Sequence, residues 1–232
     1  MSSIAENLTA IRQRIQSACA RVNRDPAEVQ LVGVTKTVPV ERIREGVQAG
    51  ITILGENYIQ EARKKVDSLS DLKVSRHFIG HLQSNKAKAA VECCEWIETV
   101  DRESLARELD RYGQKMEKRI PILLQVNVGD EESKSGVSPE GVFDLFQAVS
   151  AFDGLMVRGL MTLPPFFDDP EPARPFFRKL RELLEQLRGR ASRPEELTEL
   201  SMGMSNDFEV AIEEGATLVR IGTALFGARP RF

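Results

Sequence analysis

The sequence predicts an α/β protein, a (β/α)8 TIM barrel. Three observations carry that prediction. Eight short apolar stretches alternate with segments of helical period, and they fill a chain of 232 residues, close to the usual size of such barrels. The first stretch, Gln30-Leu31-Val32-Gly33-Val34-Thr35-Lys36, is apolar on both faces, as a strand in a parallel sheet covered by helices must be. No linker, repeat or low-complexity run divides the chain, so residues 1–232 are read as one barrel domain. A doubly wound open sheet competes, but it usually has about five or six strands and needs a switch point.

The elements follow in order. Ile4, Leu8, Ile11, Ile15, Ala18 and Val22 predict an additional N-terminal helix over 3–23. The first strand ends at Lys36, and Ile43 and Val47 set a helix between Pro39 and Gly50. A second strand over 51–57 leads to a helix through Ile59, Ala62 and Val66. A third, His77-Phe78-Ile79-Gly80, leads to a helix from about Ser84. Trp96-Ile97-Glu98-Thr99-Val100 is the fourth, with Asp101 as N-cap of a helix carrying Leu105, Leu109, Tyr112 and Met116. The fifth strand covers 120–128, and Ser138-Pro139-Glu140 starts the helix after it. The sixth covers 155–162, before a proline-rich loop and a helix with Phe177, Leu180, Leu184 and Leu187. Glu199-Leu200-Ser201 is a short seventh, and Ser205 starts a helix that ends at Gly215. Leu218-Val219-Arg220-Ile221 is the eighth.

Composition narrows the function classes. Hydrophobic residues make up 41% and charged residues 29%, as in ordinary globular proteins. A formal charge of -3 and a pI near 5.7 give no electrostatic case for nucleic acid. No apolar run approaches the roughly 18 residues of a membrane span, and the N-terminus lacks the pattern of a signal peptide. Three cysteines, Cys93 and Cys94 adjacent, do not make a disulfide framework, so reduced thiols in a cytoplasmic protein are expected.

Barrel sites lie at the C-terminal ends of strands, with a phosphate site commonly after strands seven and eight. Those places hold Ser201-Met202-Gly203-Met204-Ser205 and Arg220-Ile221-Gly222-Thr223-Ala224. The first offers hydroxyls and backbone N–H groups. The second adds a guanidinium, a glycine for close approach and another hydroxyl. Barrel closure brings strand eight beside strand one, so Lys36 and the cradle share one mouth. An amine at the mouth of an apolar core has its charged form disfavoured and becomes a nucleophile towards carbonyls. Amine and phosphate cradle together describe a site for pyridoxal 5′-phosphate (PLP).

At this point the sequence resembles the pyridoxal phosphate homeostasis protein family, small PLP-binding proteins related to the barrel domain of alanine racemase (fold-type III). The matching segments include Val32-Gly33-Val34-Thr35-Lys36, Leu54-Gly55-Glu56-Asn57-Tyr58, the stretch 77–86, the stretch 200–208 and Val219-Arg220-Ile221-Gly222-Thr223, across essentially the full length. The resemblance implies that Lys36 carries PLP as a Schiff base. It also implies that Ser201, Ser205, Arg220, Gly222 and Thr223 surround the phosphate and that Asn57 lies near the ring. It further implies a part in vitamin B6 homeostasis, by buffering or delivery to PLP-dependent apo-enzymes, with effects on amino-acid and keto-acid balance and no established catalytic activity.

The alternative is a PLP-dependent amino-acid racemase. Racemisation needs a base on each face of the substrate, and the related racemases take the second, a tyrosine, from a C-terminal β-domain of the partner subunit. The chain ends ten residues after Gly222, so that domain is expected to be missing and a monomer is expected. Tyr58 is the one tyrosine read at the mouth; Tyr112 belongs to an outer helix. His77 and His81 are read as packing or pocket-lining rather than metal-ligating, Cys93 and Cys94 as helix packing, and Met202 and Met204 as apolar filling. Glu131, Glu132 and Lys134 are read as a solvated loop on the site face.

Overall fold

Ser3 caps the first helix: its hydroxyl accepts from the backbone N–H of Glu6, whose carboxylate accepts from the Ser3 N–H in return. That helix, α1 (Ile4–Arg21), buries Ile4, Leu8, Ile11, Ile15 and Ala18 on one face, against the end of the barrel chain. The computed structural model describes residues 3–131 and 134–227. Strands and helices then alternate: β1 (Gln30–Val34), α2 (Val40–Gln48), β2 (Ile53–Glu56), α3 (Ile59–Val66), β3 (Ser75–Phe78), α4 (Ala87–Cys93), β4 (Trp96–Val100) and α5 (Glu103–Lys115). The second half continues with β5 (Ile120–Gln125), α6 (Val142–Val149), β6 (Leu155–Met161), α7 (Arg174–Arg188), β7 (Glu199–Met204), α8 (Phe208–Glu213), β8 (Leu218–Ile221) and a short α9 (Thr223–Phe226). All eight strands pair in parallel, each with its neighbour in sequence, and β8 closes on β1. The barrel is therefore as the sequence predicts.

Strand alternation divides the buried residues between two cores. Outward-facing residues such as Leu54, Phe78, Ile97, Ile122 and Leu200 pack under the helices with Ile43, Leu109, Phe177 and Leu184. Each such side chain, fully buried, contributes about 1.5–3 kcal/mol relative to exposure. Inward-facing Val32, Ile53, Leu123, Met161 and Leu218 fill the barrel itself, with Trp96 and Leu163 packed against them. Register fixes depth: Val32 stands opposite Ile53 and Arg220, and Val34 opposite Gly55. The inward face of β1 thus climbs from Val32 through Val34 to Lys36 at the C-terminal mouth.

Three helices start later than the sequence suggests. Asp101 pairs with Arg102 and does not cap α5, which begins at Glu103 with Arg102 in the cap position. Ser138 closes a turn by accepting from the Gly141 N–H, and α6 begins at Val142. Ser205 accepts from the Ala224 N–H across the barrel mouth, and α8 begins only at Phe208. Strand β7 is also longer than Glu199-Leu200-Ser201. It runs on to Met204 through Gly203, whose φ of 89° and 2.6 Å approach of a would-be Cβ to Ala211 Cβ leave no room for a side chain.

Candidate functional site

A cavity of about 510 Å3 opens at the C-terminal mouth, within the size range of cofactor pockets. Its walls include Lys36 and Asn57 after β1 and β2, Ser205 and Asp207 after β7, and Arg220, Gly222 and Thr223 from β8 and α9. Leu163, Pro164 and Phe166 form the apolar side, from the loop after β6. The topology thus brings Lys36 and the strand-eight residues together across 187 or so positions of sequence, through the β1–β8 pairing that closes the barrel.

Six of the seven residues expected to hold a cofactor line this cavity; Ser201 departs from the expectation. It is fully buried below the floor, where its hydroxyl donates to Glu98 Oε2 at 2.5 Å and accepts from Arg220 Nη1 at 2.6 Å. Arg220 is itself 3% exposed and gives a second bond to the Thr162 carbonyl at 2.7 Å. The guanidinium is one inward position deeper than Gly222, so it forms the floor, while Ser205, Gly222 and Thr223 form the rim.

Below that floor lies a network that reasoning from sequence passed over. Glu98 points into the barrel and lies 2.6 Å from His77 Nδ1, and the His77 ring stacks on Trp96 with centroids 5.1 Å apart. Burial pushes the Glu98 carboxyl up, but His77, then Arg220 and the Ser201 hydroxyl, outweigh it and hold the carboxyl below its usual range. Burial lowers the Arg220 guanidinium, opposed by Glu98 and Asp207. Asp207 is raised by burial despite the Met204 N–H and Arg220; its carboxylate accepts that N–H at 2.6 Å. A signal for Glu98 was available. In Trp96-Ile97-Glu98-Thr99-Val100 it shares the inward face with a tryptophan, and a carboxylate there requires a buried cation.

Other residues take definite places. His77 packs inside the barrel, whereas the His81 side chain is 53% exposed and its Nδ1 lies 2.9 Å from Ser135 Oγ. No group of three or more His, Cys, Asp or Glu residues suited to a metal occurs among the described residues. Met204 lines the cavity, but Met202 faces the outer core. Cys93 and Cys94 are buried at the end of α4, their thiols raised by that burial. The loop after β5 is not simply solvated. Lys134 lines the cavity, pairs with Glu131 at 2.6 Å and donates to the Pro164 carbonyl at 2.9 Å; Glu132 lies outside the described residues. Tyr58 is 58% exposed and is not among the cavity walls; Tyr112 sits on α5 and accepts from Arg111. No described helix is long and apolar enough to cross a membrane.

A barrel with a lysine just after β1 and a polar rim on β7–β8 defines a class, and a family model places the chain in it. Residues 6–230 match the alanine racemase N-terminal domain. Alanine racemase from Corynebacterium glutamicum shares the fold at a TM-score of 0.74 and 18% identity, over 97% of this chain and 61% of that one. PipY of Synechococcus elongatus, solved with PLP bound, matches at 0.84 and 36% identity, over 97% of this chain and 100% of that one. A pyridoxal phosphate homeostasis protein of Aquifex aeolicus is 47% identical over 97% of both chains. The chain belongs to the pyridoxal phosphate homeostasis protein family.

Proposed function

We propose that this chain holds PLP at the barrel mouth through Lys36 Nζ and buffers it or delivers it to apo-enzymes, without steady turnover of amino acids. The observation that carries the reading is the convergence of an amine, an amide and an anion-binding rim on one cavity. Asn57 Oδ1 is buried there and has no hydrogen-bond partner among the described residues, the mark of a polar atom reserved for a ligand. Gly80 locks that residue in place: a Cβ on it would stand 2.0 Å from the Asn57 carbonyl oxygen. The donor set fits PLP, whose aldehyde reacts with amines and whose phosphate needs a cradle. Ser205 and Thr223 supply hydroxyls, and Gly222 lets the backbone approach closely. Arg220 supplies a fixed positive charge on the floor.

Two features support a carrier over a racemase. The cavity walls contain Lys36 but, among the described residues, neither Tyr58 nor Tyr112, which supports a reading without a tyrosine base on the opposite face. The related PipY was solved both with and without PLP, and both forms match this chain, consistent with reversible loading.

The deciding experiment is borohydride reduction of the protein incubated with PLP, followed by peptide mapping. The pyridoxyl group is expected on the peptide containing Lys36. A label confined to Lys134, the other lysine on the cavity wall, would reassign the site; no label at all would remove the reading.

A further inference from the structure

Lys36 turns into the cavity while both neighbours are tied to the opposite side of the barrel wall. Before it, Thr35 is fully buried; its hydroxyl donates to Glu56 Oε1 at 2.6 Å and its carbonyl accepts from Lys65 Nζ at 2.7 Å. After it, the Thr37 N–H donates to Glu61 Oε1 at 2.6 Å. Lys65, on α3 and only 8% exposed, joins the two anchors, lying 3.1 Å from Glu56 and 2.7 Å from Glu61. One buried ammonium thus links two carboxylates and a carbonyl, and through them the backbone on each side of Lys36.

The held backbone is strained. Thr37 has φ of 60°, a left-handed conformation that is a genuine outlier for a β-branched residue. Such strain persists only where surrounding bonds enforce it, and it gathers at ligand clamps. A surface loop that merely connected a strand to a helix would have no need of a buried lysine on a different helix.

We infer that Lys65, Glu56 and Glu61 form a clasp that positions Lys36 for its ligand by holding Thr37 in the left-handed conformation. The inference rests on the assignment of Lys36 as the PLP-binding lysine. Lys65, Glu56 and Glu61 are positioning residues: they act on the ligand through the backbone of the β1–α2 loop. Glycine adopts φ of 60° without steric cost, so Thr37→Gly makes the clasp less necessary, and this gives a test that loss of stability alone would not pass.

The test compares wild type with Glu61→Ala, which removes the acceptor of the Thr37 N–H, with Lys65→Met, Thr37→Gly and the double variant Glu61→Ala/Thr37→Gly. Glu214→Gln serves as a destabilised control, because Glu214 is buried among Arg174, Arg178 and Arg181, on a helix that does not carry the loop. Each is titrated with PLP by absorbance, reduced with borohydride and mapped, and melted without ligand. Glu61→Ala is expected to weaken PLP binding about tenfold, the usual weight of an unsupported left-handed residue. Lys65→Met should do at least as much, and Thr37→Gly should recover at least half of the Glu61→Ala loss. Glu214→Gln should melt earlier yet bind PLP with wild-type affinity and spectrum. If Lys65→Met fails to fold, the Glu61 and Thr37 cycle decides alone. Wild type labelled on Lys36, with Glu61→Ala binding unchanged or with no recovery from Thr37→Gly, would overturn the clasp only. Wild type unlabelled on Lys36 would overturn the assignment beneath it.

Discussion

Two buried carboxylates, on opposite sides of the barrel wall, show how the same cost of burial resolves in opposite ways. Glu98 points inward from β4 and Glu56 outward from β2, and each lies beside a buried cation. Burial raises both. For Glu98 the partners win, and its carboxyl lies below the usual range. For Glu56 burial wins over Lys65 and Thr35, with Glu61 adding its own repulsion, and the carboxyl lies above that range. The difference is in how charge is shared. Glu98 has His77 and the Ser201 hydroxyl to itself, with Arg220 beyond that hydroxyl, whereas one ammonium serves both Glu56 and Glu61. The inner network is complementary and holds a cation under the cavity. The outer cluster carries an excess of negative charge, and its task is to grip backbone.

The largest expected effect breaks the inner network. Glu98→Gln removes the buried negative charge that faces His77 directly and Arg220 through the Ser201 hydroxyl. Removing one member of a buried pair costs about 3–5 kcal/mol, so urea unfolding of the ligand-free protein should show a loss in that range. Glu56→Gln should cost less, about 1–2 kcal/mol, since Lys65 keeps Glu61 and an amide still accepts from Thr35. Equal losses in the two variants would mean that the two clusters do not differ as described.

A second measurement sharpens the contrast through pH. Glu98 has a lowered carboxyl in the folded state, so its stabilisation is present above the unfolded value, near 4.3, and fades as pH falls through the folded one. Glu56 is raised, so its contribution is full below the unfolded value and is lost as pH rises through the folded one. As pH falls below about 4.3, the stability gap between wild type and Glu98→Gln should therefore narrow. As pH falls from 7 towards about 4.3, the gap between wild type and Glu56→Gln should widen. Urea series in which neither gap changes across its own interval would refute the opposition.

The same two carboxylates mark the limit of what sequence reveals. Eight strands, their order and the mouth with Lys36 were legible because alternation and helical period are local signals. The partners of Glu98 were not, since Ser201 lies 103 positions away and Arg220 joins through it. Ser201 and Ser205 both look like phosphate ligands in Ser201-Met202-Gly203-Met204-Ser205. Only the left-handed Gly203 and the shifted register between β7 and β8 show that one hydroxyl goes under the floor and the other to the rim. The clasp was hidden in a different way. Glu56, Glu61 and Lys65 look like ordinary solvated positions around a helix start, and nothing local says that Lys65 is buried against Thr35.

The smallest expected effect tests where the wall divides inside from outside. Asn57 and Tyr58 are consecutive, and the chain turns between them: Asn57 lines the cavity, while Tyr58 takes the cap position of α3 and is mostly exposed. A tyrosine that served as a proton carrier would have to reach the cavity, since proton transfer needs approach to hydrogen-bond distance or through one water. Tyr58→Phe should accordingly change stability by less than about 0.5 kcal/mol, as for other exposed positions. It should also leave PLP affinity and spectrum unaltered. The sharper readout is deuterium incorporation at Cα of L-amino acids incubated with PLP-loaded protein in deuterated water. Wild type is expected at the level of free PLP, and Tyr58→Phe at the same level. Saturable incorporation in wild type that disappears in Tyr58→Phe would bring Tyr58 across the wall, supply the missing second base and turn the carrier into an enzyme.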